Sequence, residues 1–205
     1  MSSPTSVMNE MRELQLAAEL IRYDARMQVL EAETSLSRKK LDALFREITG
    51  RSPSKGLMPF SADWFLMWQP NVHASLYVDI YRYLLAHTKA RGIAAVTKAY
   101  KLYLEHMRVH GQEPILSITR AWIMVRYLGV MLDTAPCQRC GGHFIVHKMD
   151  LHDDFTCGLC KPPSRAGKSA RAQAAQLEAA VQQARATLSA PAALTTAAPA
   201  EAAAS

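Results

Sequence analysis

The chain has 205 residues, 49% hydrophobic and 20% charged, with 24 Lys and Arg against 18 Asp and Glu and a formal charge of +6. That length supports one ample domain, or a domain with a small appendage, and the basic balance favours a polyanionic partner, nucleic acid first. Four cysteines are too few for a secreted disulfide scaffold. The opening MSSPTSVMNEMREL lacks the uninterrupted apolar stretch of an export signal, and the most apolar run, residues 122–132, is about half a membrane span and contains Arg126. A cytoplasmic protein without a membrane span is expected.

In chain order, Leu14, Ala17, Ala18, Ile21 and Ala25 recur at helical spacing and predict one amphipathic helix over residues 8–33. A shorter helix follows from Ser37. Its hydroxyl is placed to cap the first turn, and Leu36 and Leu41 stand at the two positions of a hydrophobic staple. Leu41, Leu44, Phe45 and Ile48 form its buried stripe. Further helices are predicted at 62–68, 72–89, 93–106 and 115–132, punctuated by Pro70, Gly92 and the 111–114 loop. His73 and the aromatic residues Trp64, Phe65 and Trp68 read as core. The fold class is mainly α: a multi-helix body (1–132) with a helix-turn-helix-like segment (20–48), a small four-cysteine zinc ribbon (133–166), and a disordered tail (167–205). Eighteen of the last 40 residues are alanine, with no aromatic residue among them, so the tail has no means of burying a core.

Two clusters carry chemistry. From Leu36 to Lys55 there are six basic residues against two acidic ones, +4 of the total +6. Cations in the first turn of a helix oppose its dipole, so Arg38, Lys39 and Lys40 cost some helix stability. Two readings stand: a recognition helix whose N-terminal side chains enter the major groove, or a solvated basic face. Candidate DNA contacts here are Ser37, Arg38, Lys39, Arg46, Arg51 and Lys55, with a competing basic surface at Arg139, Lys148, Lys161, Arg165 and Lys168.

Cys137-x2-Cys140 and Cys157-x2-Cys160, with 16 residues between the pairs, are the second cluster. Two C-x2-C knuckles each present two thiolates to one ion, and the stretch between them suffices for a hairpin with a strand at 144–146. One structural zinc ion is the expected cofactor. A disulfide pair is disfavoured in a reducing compartment, and a redox-active motif lacks its βαβ context. Four thiolates leave no open position for a catalytic water, and no phosphate loop or nucleophile motif appears, so neither an enzyme nor a small-molecule substrate is expected.

At these residues the sequence resembles the flagellar transcriptional activator family FlhC. The resemblance rests on Leu36-Ser37-Arg38 with Leu41 and Leu44, and on Lys55-Gly56-Leu57-Met58-Pro59-Phe60-Ser61-Ala62-Asp63-Trp64-Phe65. It continues through Asn71-Val72-His73-Ala74-Ser75, Tyr100-Lys101-Leu102-Tyr103-Leu104-Glu105 and Thr119-Arg120-Ala121-Trp122. It ends with Cys137-Gln138-Arg139-Cys140-Gly141-Gly142-His143-Phe144 and Phe155-Thr156-Cys157-Gly158-Leu159-Cys160-Lys161-Pro162-Pro163-Ser164-Arg165-Ala166. The stretch spans about residues 8–166; the Ala-rich tail departs from it. What the resemblance implies is a cytoplasmic bacterial transcription factor that joins the smaller FlhD subunit in a hetero-hexamer, binds promoter DNA and activates flagellar genes through RNA polymerase. It also implies zinc ligation by Cys137, Cys140, Cys157 and Cys160. The alternative function is a zinc-stabilised protein–protein adaptor that does not itself contact DNA.

Overall fold

A computed structural model describes residues 6–150 and 153–164. The chain divides into two compact units, Met1–Pro162 and Pro163–Ser205. Of the second only Pro163 and Ser164 are described, both exposed, so the predicted tail lies outside the described residues. The first unit is mainly α, as expected, with six α-helices and one two-stranded sheet among the described residues.

The single helix predicted over 8–33 is two helices, α1 (Val7–Arg22) and α2 (Met27–Glu33). The break is a helix-ending turn centred on Asp24, whose φ is 59°. Its signature is reciprocal: Asp24 N–H donates to Ile21 O at 2.8 Å and Ala25 N–H to Leu20 O at 3.0 Å. Ala25 is then buried, and Arg26 N–H leaves the helix to meet Thr119 Oγ1 at 3.1 Å. Apolar periodicity runs through the break because Ile21 before it and Ala25 and Met27 after it are all buried.

A four-residue turn leads to α3 (Arg38–Thr49), where Ser37 Oγ accepts from Lys40 N–H and Gly50, at φ 68°, closes the far end. Leu41 and Phe45 are fully buried, and Leu36, Leu44 and Ile48 pack against the same core. Burying each large side chain contributes about 1.5–3 kcal/mol.

The predicted helix at 62–68 is a single 3-10 turn, Asp63–Leu66. Trp68 instead opens α4 (Trp68–His87), which takes Pro70 into its first turn. There a missing N–H removes no helical bond, so this proline starts the helix rather than separating two. α5 (Gly92–Val109) and α6 (Ile118–Tyr127) follow. Tyr100 donates to Leu116 O at 3.0 Å, while Tyr103 Oη accepts from Leu116 N–H at 3.2 Å and bonds His73 Nδ1 at 2.7 Å. His73 is thus a satisfied, half-buried histidine, and burial lowers its pKa.

α6 stops at Tyr127, short of the predicted 132, because residues 128–131 turn and Leu132 begins β1 (Leu132–Pro136). This strand pairs antiparallel with β2 (His143–His147), placing Leu132 opposite His147 and Ala135 opposite Phe144. At the end of α2, Glu33 Oε1 accepts from Trp122 Nε1 at 2.6 Å and from Arg126 Nη2 at 3.1 Å, and the Arg126 guanidinium stacks on the Trp122 ring at 3.8 Å. This clasp fixes α2, and α3 behind it, against α6. No helix among the described residues is long and apolar enough to cross a membrane.

Candidate metal centre and nucleic-acid interface

β1 delivers the chain into the first cysteine knuckle. Cys137 N–H donates to Gly142 O and Gly141 N–H to Cys137 O, both at 2.8 Å, and the turn requires Gly141 at φ 72°. The second knuckle closes when Lys161 N–H meets Cys157 O at 2.9 Å, and Gln138 N–H reaches Phe155 O at 3.0 Å to join the two. The thiol sulfurs of Cys137, Cys140, Cys157 and Cys160 all lie within 4.8 Å of one another, with Cys140 Sγ and Cys157 Sγ 3.8 Å apart.

Cys137 and Cys157 are buried, and with Phe144 they form a separate miniature core. Backbone N–H groups aim at these sulfurs: Cys157 N–H at Cys137 Sγ (3.3 Å) and Cys160 N–H at Cys157 Sγ (3.4 Å). The Cys157 N–H, against the opposing effect of burial, pulls the Cys137 thiol down to about 6. Burial, and then hydrogen bonds with its three sister thiols, push Cys160 up to about 12. The Cys137 thiolate forms readily and Cys160 resists ionising beside it; a cation at the centre relieves that resistance. The arrangement can hold a metal ion.

The ribbon is seated on the first turns of α4. Trp68 Nε1 donates to Gly158 O at 2.9 Å, and Asn71 Nδ2 to Ile145 O at 2.7 Å. Ser75 Oγ accepts from Ile145 N–H at 2.9 Å while donating to Asn71 O at 2.6 Å. Sequence reasoning missed Asn71 and Ser75 as contacts of the ribbon and read Trp68 as core, with an anchor of the adaptor surface as the rival. Their spacing, i, i+3 and i+7, does place them on one helix face, but nothing local says that a strand 70 residues onward meets that face.

Around α3 the structure gathers part of the predicted basic set. Arg38, Asp42 and Arg46 line a cleft of about 450 Å³ with Met27 and Gln28 of α2 and residues 52–56, including Lys55. Arg38 is paired with Glu31 at 2.7 Å, which offsets its unfavourable place at the helix start. Lys40 is likewise paired with Glu10. Arg51 turns to Asp24 at 2.5 Å and lies over the Phe45 ring, away from the cleft lining. Ser37 is occupied as the cap, and Lys39 is exposed. The ribbon cations do not join the cleft: Arg139 donates to Cys160 O at 3.0 Å, Lys148 to Gly129 O, and Lys161 is exposed. Arg165 and Lys168 lie outside the described residues.

The model of the family described as flagellar transcriptional activator (FlhC) matches residues 2–173. The chain belongs to the FlhC family. Proteins named flagellar transcriptional regulator FlhC are similar along most of their length. The one from Paraburkholderia atlantica is 53% identical over 168 residues, covering 82% of this chain and 78% of its own. That from Nitrosomonas eutropha is 49% identical over 170 residues, covering 82% and 89%, and that from Proteus mirabilis 46% over 174 residues, covering 84% and 90%. As an FlhC protein the chain is a transcriptional regulator of flagellar genes, and such a regulator is not a class of enzyme.

Proposed function

We propose that this FlhC protein is a cytoplasmic activator that binds promoter DNA as the zinc-containing subunit of a hetero-hexamer with FlhD and engages RNA polymerase from there. The cleft between α2, α3 and residues 52–56 is the observation that supports the DNA reading. Arg38, Arg46 and Lys55 line it against one carboxylate, Asp42. In this reading α2, the turn and α3 act as the helix-turn-helix, and the cleft takes the phosphate backbone beside the helix that meets the bases.

The four sulfurs fit zinc. A tetrahedral ion with Zn–S of about 2.3 Å holds its sulfurs about 3.8 Å apart, which is the Cys140–Cys157 separation. Cys137, Cys140, Cys157 and Cys160 would all ligate it, leaving a closed structural site. The ion would neutralise thiolate charge and supply the cohesion that a core of Cys137, Phe144 and Cys157 lacks.

The FlhD reading draws support from apolar side chains left open to solvent. Val7, Met8 and Met11 are exposed on α1, and Leu57 and Phe60 are 90% and 60% exposed on a loop fixed by Arg26 and Tyr127. Such patches mark interaction surfaces. Co-expression with FlhD, mass measurement of the assembly and a footprint on flagellar promoter DNA test the proposal. A monodisperse single chain that footprints with full affinity would refute the partnership, and an assembly without a footprint would leave the adaptor function.

A further inference from the structure

Glycine occupies position 158 for a reason different from the one at position 141. Gly141 has a positive φ, which its turn requires, whereas Gly158 is not among the glycines with positive φ. What excludes a side chain at 158 is its neighbour. A Cβ there would lie 2.6 Å from Trp68 Cδ1, closer than Cβ contacts come, and a tight 3.1 Å from Trp68 Nε1, so the indole would have to shift. The indole N–H of the same tryptophan donates to Gly158 O at 2.9 Å. Gly158 lies within the second knuckle, between Cys157 and Cys160, so the indole grips the loop that sets the spacing of two sulfurs.

The two knuckles are held differently. The first is continuous with the paired strands β1 and β2. The second follows residues that form no strand among those described, and its other ties run to the first knuckle: Gln138 N–H to Phe155 O and Arg139 Nη1 to Cys160 O. Trp68 to Gly158 is the hydrogen bond that joins residues 153–164 to the helices among the described residues. Asn71 and Ser75, the next positions on that face of α4, hold Ile145 of β2. One helix face therefore supports both halves of the sulfur cluster, and Trp68 is its contact with the less constrained half.

We propose that Trp68 is a positioning residue of the metal centre: through Gly158 it holds the second knuckle in its closed form, so that metal retention and the seating of this loop on α4 are a single coupled event. This rests on the reading of the four thiols as a zinc site. Coupling is reciprocal, so the indole slows loss of the ion and the ion keeps the indole bonded and shielded.

The test uses the full-length zinc-loaded protein and three variants: Trp68→Phe, which keeps the ring and removes the donor, Gly158→Ala, and Trp64→Phe as control. Zinc transfer to a chromophoric chelator should run about three- to tenfold faster in Trp68→Phe, the ratio one hydrogen bond supplies, and at least as fast in Gly158→Ala. Trp64→Phe should match the parent. Chelation should shift tryptophan emission in the parent and in Trp64→Phe, and much less in Trp68→Phe. Cobalt-substituted Trp68→Phe should keep the absorption bands of four-thiolate coordination. Parental release rates in Trp68→Phe, even with a lowered melting temperature, make the tryptophan ordinary packing and overturn the proposal. Altered cobalt bands overturn it as well, since the ligand set would then have changed. A parent protein that binds no zinc refutes the metal reading itself, a separate result.

Discussion

The basic cleft makes a quantitative demand on DNA binding. Arg46 and Lys55 are exposed and carry no ion pair among the described residues, whereas Arg38 shares its charge with Glu31. If both unpaired cations meet phosphates, Arg46→Ala with Lys55→Ala removes about 1.8 from the slope of log affinity against log salt, at about 0.9 per contact. Between 50 and 200 mM salt the variant should then lose about tenfold less affinity than the parent. Glu31→Gln releases Arg38 and should move the slope the other way, by up to about 0.9. Surface changes of this kind hold stability within about 0.5 kcal/mol, or about 2 °C in melting temperature. The assay is a salt titration of promoter binding by the assembly with FlhD, read by fluorescence anisotropy. An unchanged slope in both variants, with melting temperatures intact, refutes the cleft as a phosphate site. If Arg139→Ala with Lys161→Ala then flattens the slope, the DNA surface lies on the ribbon.

Ser75→Ala should leave the buried Ile145 N–H without an acceptor and cost about 1–3 kcal/mol, seen as a fall of roughly 2–12 °C in melting temperature. Cys157→Ser should abolish stoichiometric zinc in metal analysis and expose the ribbon to proteolysis, since structural zinc contributes about 10–16 kcal/mol to modules of this size. His73 has its pKa lowered from 6.5 by burial, so the unfolded chain takes up that proton first. Its contribution is complete above pH 6.5 and is lost as pH falls through the lower folded value. His73→Gln should therefore show a smaller drop in melting temperature between pH 7.5 and 5.5 than the parent.

What could be read from the sequence was what neighbours decide. The Ser37 cap, the Leu36–Leu41 pair and the C-x2-C knuckles depend on residues within five positions of each other, and the structure forms each of them. The interruption after α1 escaped because Asp24 adopts a left-handed conformation usually given to glycine, with neither glycine nor proline to mark it. β1 escaped because Leu132-Asp133-Thr134-Ala135-Pro136 has little strand character of its own and becomes a strand by pairing with β2. Charge was legible as composition but not as arrangement: of the six cations counted between Leu36 and Lys55, three are tied to carboxylates and three line the cleft, Arg38 doing both.

The clasp at Glu33 ties the start of the chain to a segment made much later. Arg126 follows Glu33 by 93 residues, an interval that a ribosome adding about 5–20 residues per second takes roughly 5 to 20 s to cross. Throughout that time α2 and α3 can form and touch one another, but the carboxylate that sets their orientation has no indole or guanidinium to receive it. The nascent N-terminal helices thus emerge unanchored, and acquire a fixed bearing only once α6 is translated.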